Sequence, residues 1–437
     1  MVELGVPQDT PRRVVLVRWA ILTLLMLGAL IAFVDRVSIS SAMTVPSFKA
    51  HFGLTDVGRG WLNSAFFWSY AVMQIPMGWI VDRYGVKWPY AICFGIWCVA
   101  SAVIGLMSTL WALILMRLII GAAEAVVVPA TYRWVRNNFD PNRSGAALGF
   151  YALGTKFGPA LGAPAAAWLI VTFDWRMMFL ISGLAGLVWL VPWMLFARER
   201  IGEVATPAGA KPLQSSATTK VSFAAILTNK FVLATLVVYF CYNYFTFFCI
   251  TWMPAYLVEQ RGLSLERMGL YTFFSFAGIA IVAFVSGWLA DVIIGRIGRP
   301  IFVRKAFVLA GFAVASTVVL GANTQSLQAA LFWNVVSLSG LGLATANMLA
   351  LCSIMLIPAP IVGRVKGIQN TAVAIAGIVA PLMTGWLLHL TGSFVAPMTL
   401  IFAFLVLGAV TVVVAIRPEW APVMPREEAA DADYDAG

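Results

Sequence analysis

The chain has 437 residues, 61% hydrophobic and 11% charged, with a mean hydropathy of +0.89. Soluble globular chains carry roughly 45–50% apolar and about 25% charged residues, so both a conventional soluble enzyme and a disordered chain are excluded. The formal net charge of +10 would suit a nucleic-acid binder, but most of the excess falls between apolar runs on one side of a membrane, so no nucleic-acid partner is expected.

Runs such as 88–107 and 175–197 match the roughly 20 residues that a helix needs to cross a hydrocarbon core about 30 Å thick. In chain order the hydropathy predicts twelve spans, at about 16–43, 58–81, 88–107, 109–135, 144–172, 175–197, 229–257, 266–290, 301–322, 326–357, 365–390 and 394–416. The first follows Arg12, Arg13 and Arg18 as a signal peptide would. It is too long for one, contains Asp35 and Arg36, and lacks a small-residue cleavage site, so it reads as a membrane helix. The polar stretch 198–228, with Pro207, Gly209, Pro212, Ser215 and Ser216, reads as a cytoplasmic linker.

The expectation is an all-α membrane protein of two pseudo-symmetric six-helix bundles. Its parts are a cytoplasmic N-tail 1–15, an N-terminal bundle 16–197, the linker 198–228, a C-terminal bundle 229–416 and an acidic C-tail 417–437. With the N-terminus inside, cytoplasmic segments hold 21 Lys and Arg, whereas outside loops hold 5: Lys49, Arg59, Arg176, Arg261 and Arg267. That asymmetry predicts both termini in the cytoplasm. A repeat supports the division. Gly78-Trp79-Ile80-Val81-Asp82 after the second span recurs as Gly287-Trp288-Leu289-Ala290-Asp291 after the eighth. Repeated halves are how many secondary transporters place one binding site at the midplane between two bundles.

Charges inside spans are costly and usually face a cavity or a partner. Away from their ends the predicted spans hold five: Asp35, Arg36, Arg117, Glu124 and Lys156, all in the first half. Arg117 and Glu124, seven residues apart, share a helix face two turns apart, so each is expected to find a partner on another helix. Such charges can simply tie helices together. Two acids against three bases nevertheless leave a positive excess, and protonating the acids raises it. An anion and the acids would then compete for the same cations, which is a physical recipe for proton-coupled anion transport.

The second half offers neutral polar groups. Tyr239, Asn243 and Thr246 form one stripe of the seventh span, Asn334 and Asn347 mark the tenth, and Gln369, Asn370 and Thr371 open the eleventh. They suit substrate hydroxyls, or interhelical hydrogen bonds. Glycines at 145, 154, 158 and 162, with Pro159, shape the fifth span for close packing and a kink. Cys93, Cys98, Cys241, Cys249 and Cys352 all fall in apolar runs and read as packing residues. Asn142-Arg143-Ser144 matches the glycosylation pattern but falls in a cytoplasmic segment, and His51 and His389 have no ligand spacing. No phosphate loop, nucleophile elbow or metal motif is present, so neither a cofactor nor an enzymatic activity is expected.

Gly78-Trp79-Ile80-Val81-Asp82-Arg83-Tyr84-Gly85-Val86-Lys87 resembles the signature after the second helix of the major facilitator superfamily. The segments 33–37 (FVDRV), 66–76 (FFWSYAVMQIP), 117–125 (RLIIGAAEA) and 252–257 (WMPAYL) are similar to its anion:cation symporter family, which includes bacterial galactonate, glucarate and hexuronate transporters. The resemblance covers about 16–416. It implies a proton-coupled carrier of a sugar acid in a bacterial inner membrane, working as a monomer. Asp35 and Glu124 would be the protonated carboxylates, and Arg36 and Arg117 would pair with them and with the substrate carboxylate. Tyr70, Gln74, Asn243 and Asn370 would line the site, and Asp82 and Arg83 would gate it, with Asp291 as their repeat counterpart.

Three positions depart from galactonate-type members. Phe33 replaces a Tyr hydroxyl, Ala350 stands where a tenth-helix Trp is expected and would enlarge the site, and Lys156 is an additional cation. Lys156 is expected to face the cavity and serve a second carboxylate or another acidic group. The alternative within transport is a proton-driven exporter of drugs or organic anions, which the fifth-span glycine pattern resembles except at Ala163. A cationic drug would meet three intramembrane bases. A nutrient sensor would need a folded signalling extension, and a membrane enzyme would need a reactive constellation.

Overall fold

A computed structural model describes residues 12–201, 223–358 and 361–422, and every regular element among them is helical. Lipid offers no hydrogen bonds to the backbone, so an apolar run must satisfy its own N–H and C=O groups, and a helix does this within one segment. The first half comprises α1 (Arg12–Ala42), α2 (Pro46–Phe52), α3 (Asp56–Tyr84), α4 (Lys87–Ile104), α5 (Leu110–Glu124), α6 (Val127–Asn138), α7 (Pro141–Thr172), α8 (Trp175–Leu187) and α9 (Leu190–Phe196). The second comprises α10 (Phe223–Leu227), α11 (Lys230–Thr251), α12 (Met253–Ala255), α13 (Leu265–Ile297), α14 (Pro300–Ala315), α15 (Val318–Asn323), α16 (Leu327–Leu349), α17 (Val362–Thr391) and α18 (Val395–Val414).

Several predicted spans are interrupted rather than continuous. The span at 109–135 breaks between α5 and α6, directly after Glu124, and that at 175–197 breaks between α8 and α9. Pro129 and Pro192 each sit four residues after the breaking residues Ala125 and Val188 and cannot donate back to them. The span at 229–257 ends in α12, which carries Pro254, and a π-helical turn Tyr256–Gln260; that at 326–357 ends in a π-helical turn Ala350–Met355. The short α2, closed by Gly53 in the left-handed region at φ 60°, was not anticipated. Nor was α10, which lies inside the predicted linker. The remainder of that linker (202–222), the N-tail to residue 11 and the C-tail from 423 lie outside the described residues.

Ten helical segments among the described residues are long and apolar enough to cross a membrane. The expected second and fifth spans, α3 and α7, are helices of 29 and 32 residues but are not among those ten. Their composition follows from their position. α3 packs along α17 and α7 along α13, so each places small and polar residues at a helix seam and the cavity beside it. Close approach of α7 to α1 depends on glycine: a Cβ at Gly158 would lie 2.4 Å from the Phe33 Cβ, and one at Gly154 would lie 2.2 Å from the Met26 carbonyl oxygen.

Candidate functional site

α1, α3, α6 and α7 from the first half face α11, α13 and α17 from the second around a cavity of about 280 Å³. That volume suits a small molecule. Its wall includes Arg36, Tyr70, Gln74, Lys156, Asn243 and Asn370, six of the residues expected at the site, together with Phe33, Tyr132, Tyr242, Thr246 and Lys366. The i, i+4 spacing puts Tyr70 with Gln74 on one face of α3, and Lys366 with Asn370 on one face of α17.

Arg36 joins this wall to a fully buried acid. Its Nε and Nη2 both donate to Glu124 Oε2, at 3.0 and 2.8 Å, and the guanidinium lies 4.4 Å from the Phe33 ring centre and 4.7 Å from that of Phe66. Glu124 Oε1 is buried without a hydrogen-bond partner. The carboxylate does not line the cavity and is held by Arg36.

Asp35 and Arg117 take positions that differ from expectation. Asp35 accepts a hydrogen bond from Ser101 Oγ at 3.3 Å and makes no ion pair within 4.0 Å among the described residues. Arg117 is buried off the cavity wall, 4.9 Å from the Phe66 ring centre, with its Nε unpartnered. Arg36 and Arg117 thus both lie against the Phe66 ring, but only Arg36 lines the cavity. In the second half, Asn347 accepts from Arg304 at 2.8 Å and Gln369 binds Ser353, Thr235 and the Cys352 carbonyl, so neither faces the cavity. Ala350 does not line it either, because it begins a π-helical turn beyond the wall.

Lys366 opens the predicted span 365–390 but is not among the five intramembrane charges expected, all of which lie in the first half. α17 begins at Val362, so Lys366 stands one turn inside the helix, and it lines the wall. Lys366 Nζ donates to the Tyr239 hydroxyl at 3.1 Å, which is 2.8 Å from Ser353 Oγ, and Ser353 donates to Gln369 Oε1 at 2.6 Å. Four-residue spacing to Asn370 was the signal that could have found it. Among the described residues the wall thus carries three cations, Arg36, Lys156 and Lys366, and no carboxylate.

The two halves meet on one side of this cavity. A Cβ at Gly60 would lie 2.9 Å from the Pro381 carbonyl oxygen, and Ser64 Oγ donates to the Ile378 carbonyl at 3.1 Å. Beyond that contact, Glu259 accepts from Lys49 and from the buried Arg59, each at 3.0 Å, and Arg59 also reaches Asp56 at 3.2 Å. On the opposite side Asp82 pairs with Arg133 at 3.5 Å, Arg83 rests 5.7 Å from the Trp79 and Tyr84 ring centres, and Asp291 pairs with Arg304. Each of these pairs lies within its own half. All five cysteines are buried and free, and the described residues hold no cluster of metal-ligating groups.

A family model described as Major Facilitator Superfamily matches residues 25–381. A hexuronate transporter of Bacillus subtilis (strain 168) is 29% identical over 421 residues, covering 91% of this chain and 94% of that one. A D-galactonate transporter of Escherichia coli O6:H1 is 27% identical, covering 91% and 95%. Among solved structures, a bacterial homolog of the human lysosomal transporter Spinster aligns with a TM-score of 0.76 at 16% identity, over 93% of this chain and 98% of that one. A D-xylose-proton symporter aligns with a TM-score of 0.71 at 17% identity, over 93% and 99%. The apolar helices, the cavity between two halves and a match over most of the length converge: the chain belongs to the major facilitator superfamily and is a multi-pass membrane transporter.

Proposed function

We propose that the protein imports a small organic anion of the sugar-acid class together with protons, by alternating access across a bacterial inner membrane. The observation that carries this reading is Arg36, which stands on the cavity wall while its Nε and Nη2 both donate to the buried Glu124. One guanidinium serves an internal acid and faces the ligand space. Protonating Glu124 frees Arg36 for a substrate carboxylate, and losing that proton draws Arg36 back and weakens the hold on the substrate. The names of the hexuronate and D-galactonate transporters support the substrate class.

In this reading α3 and α7 complete twelve spans in two six-helix bundles, with both termini cytoplasmic as the 21-to-5 charge asymmetry indicates. The Lys49–Glu259–Arg59 cluster then closes the outer side. Asp82, Arg83 and Asp291 belong to the inner gate, Tyr70, Gln74, Asn243 and Asn370 orient substrate hydroxyls, and Asp35 is a second proton site beside Ser101. Arg117, off the cavity wall, acts by its field rather than by contact.

Proteoliposomes test this directly. Labelled hexuronates, hexonates or aldarates should accumulate above equilibrium under an acid-outside gradient and should stop doing so when a protonophore collapses it. Sealed vesicles of folded protein that accumulate none of the three would overturn the reading.

A further inference from the structure

We propose that Lys156 and Lys366 form a second anion subsite in the cavity, and that the preferred substrate carries an acid group at each end, as a six-carbon dicarboxylate does. This rests on the transport reading above. Both lysines line the same cavity as Arg36, and neither has a carboxylate within 4.0 Å among the described residues. Arg36 is already matched by Glu124, whereas Lys366 has, among the described residues, the Tyr239 hydroxyl at 3.1 Å and the Tyr239 ring, 4.4 Å from its centre. Tyr239 is itself fixed by Ser353, which is fixed by the fully buried Gln369, so the acceptor under Lys366 is rigidly held.

Helix register places the two lysines on the same side of Arg36. Gly154 lies against Met26 and Leu30, and Gly158 against Leu30 and Phe33, which sets Lys156 level with Leu30 on α1. That is six residues from Arg36, about 9 Å along the axis. α17 runs antiparallel to α3, with Pro381 beside Gly60 and Ile378 beside Ser64. Continuing that pairing sets Lys366 near residue 76 of α3, whereas Arg36 lies over Phe66 and Tyr70, at 4.7 and 5.2 Å from their ring centres. Lys366 is therefore displaced about 12 Å along the axis, in the direction of the Asp82 end. An extended six-carbon diacid separates its carboxyl carbons by roughly 6 Å, given C–C bonds of about 1.5 Å. Two flexible lysine stems reaching back from one side close the remaining distance.

The need for a second acid arises on closure. In the open cavity water solvates both half-buried ammonium groups. When the halves close, that water leaves, and two cations without a carboxylate are costly to enclose. A monocarboxylate on Arg36 leaves them unmatched, and a second carboxylate matches them. The lysines thus select by penalising closure around a monoanion.

Competition for uptake by the full-length protein in proteoliposomes tests the inference, with a hexarate, a hexuronate and a hexonate as probes. The wild type should take the hexarate with at least about tenfold lower half-saturation than either monoacid, the worth of one charge-assisted contact. Lys156→Gln and Lys366→Gln should each lower the hexarate-to-hexuronate preference by about tenfold, and Lys156→Arg and Lys366→Arg should keep it. Melting temperature in detergent shows that each variant is folded. Equal or better affinity for the hexuronate in the wild type overturns the second subsite while leaving sugar-acid transport intact. So does an equal loss for all three probes in the glutamine variants, or no change for any, the latter being the result expected if the lysines only reach out to the membrane surface. Uptake of none of the probes by the wild type overturns both readings.

Discussion

Arg36 holds Glu124 through two donors on one carboxylate oxygen, at 3.0 and 2.8 Å, and leaves the other oxygen buried and unpartnered. The pair joins α1 to the last residue of α5, and only its arginine member reaches the cavity. An acid placed in this way controls a binding cation without touching the ligand.

Coupling is the first consequence. Glu124→Gln removes the protonation step but keeps the shape of the side chain. Accumulation under an acid-outside gradient is expected to fall to the equilibrium ratio, while exchange of labelled for unlabelled substrate across the vesicle persists. Uptake by the wild type should rise as the outer pH falls, because a protonated Glu124 releases Arg36, and the variant should show a flat profile over the same range. Accumulation that survives in Glu124→Gln would remove Glu124 from the proton path.

Stability should report the same pair. Arg36→Gln leaves a fully buried carboxylate without its partner, a change that costs about 3–5 kcal/mol when a buried ion pair is broken from one side. Pairing it with Glu124→Gln should recover most of the loss, since two neutral amides can bond each other. Melting temperatures of the wild type, both single variants and the double variant measure this coupling. Additive losses would mean that the two side chains do not depend on each other.

The latch on the closed side gives a conformational prediction. Glu259 accepts from Lys49 and Arg59, and both cations belong to the first half. Glu259→Gln removes both ion pairs but leaves the Arg59–Asp56 contact and the stacking of Arg59 on Trp252, 4.7 Å from its ring centre. The population open on this side should grow by about tenfold, as loss of partly buried charge pairs of 1–2 kcal/mol implies. Distances between spin labels at the start of α3 and the end of α17 would show it, and an unchanged distribution would exclude a latch.

Steric closeness at the same seam predicts a complementary result. A Cβ at Gly60 would meet the Pro381 carbonyl oxygen at 2.9 Å, so Gly60→Val must push α3 and α17 apart where they touch. The same labels should move apart, and uptake should fall more steeply than the melting temperature. A variant with wild-type distances would show that the seam tolerates a side chain.

Much of this architecture was legible in sequence because lipid imposes a simple rule on apolar runs. Hydropathy located α4, α8, α11 and α18, and the G-W-x-x-D repeat marked equivalent ends of α3 and α13. The helix breaks were less visible, since Pro129 and Pro192 act four residues upstream of where they stand. Asn243 and Asn370 were found by residue type and family resemblance, whereas Gln369, adjacent to Asn370, turned into a buried network. One helical step of about 100° separates a wall position from a core position, and no linear pattern resolves it when both faces are covered by protein.

The sequence by itself determined that the chain lives in a membrane, that a G-W-x-x-D motif recurs 209 residues on, and that charges such as Asp35, Arg36 and Glu124 lie where they are expensive. Those properties are sums over local residues, and hydration cost fixes them. Only the tertiary structure decided which charges meet: Arg36 with Glu124 across 88 positions, Arg117 buried against Phe66 off the cavity wall, and Lys366 near a helix end on that wall. Pairing depends on how helices rotate and cross, and small residues such as Gly60 and Gly158 set those crossings through contacts far apart in the chain.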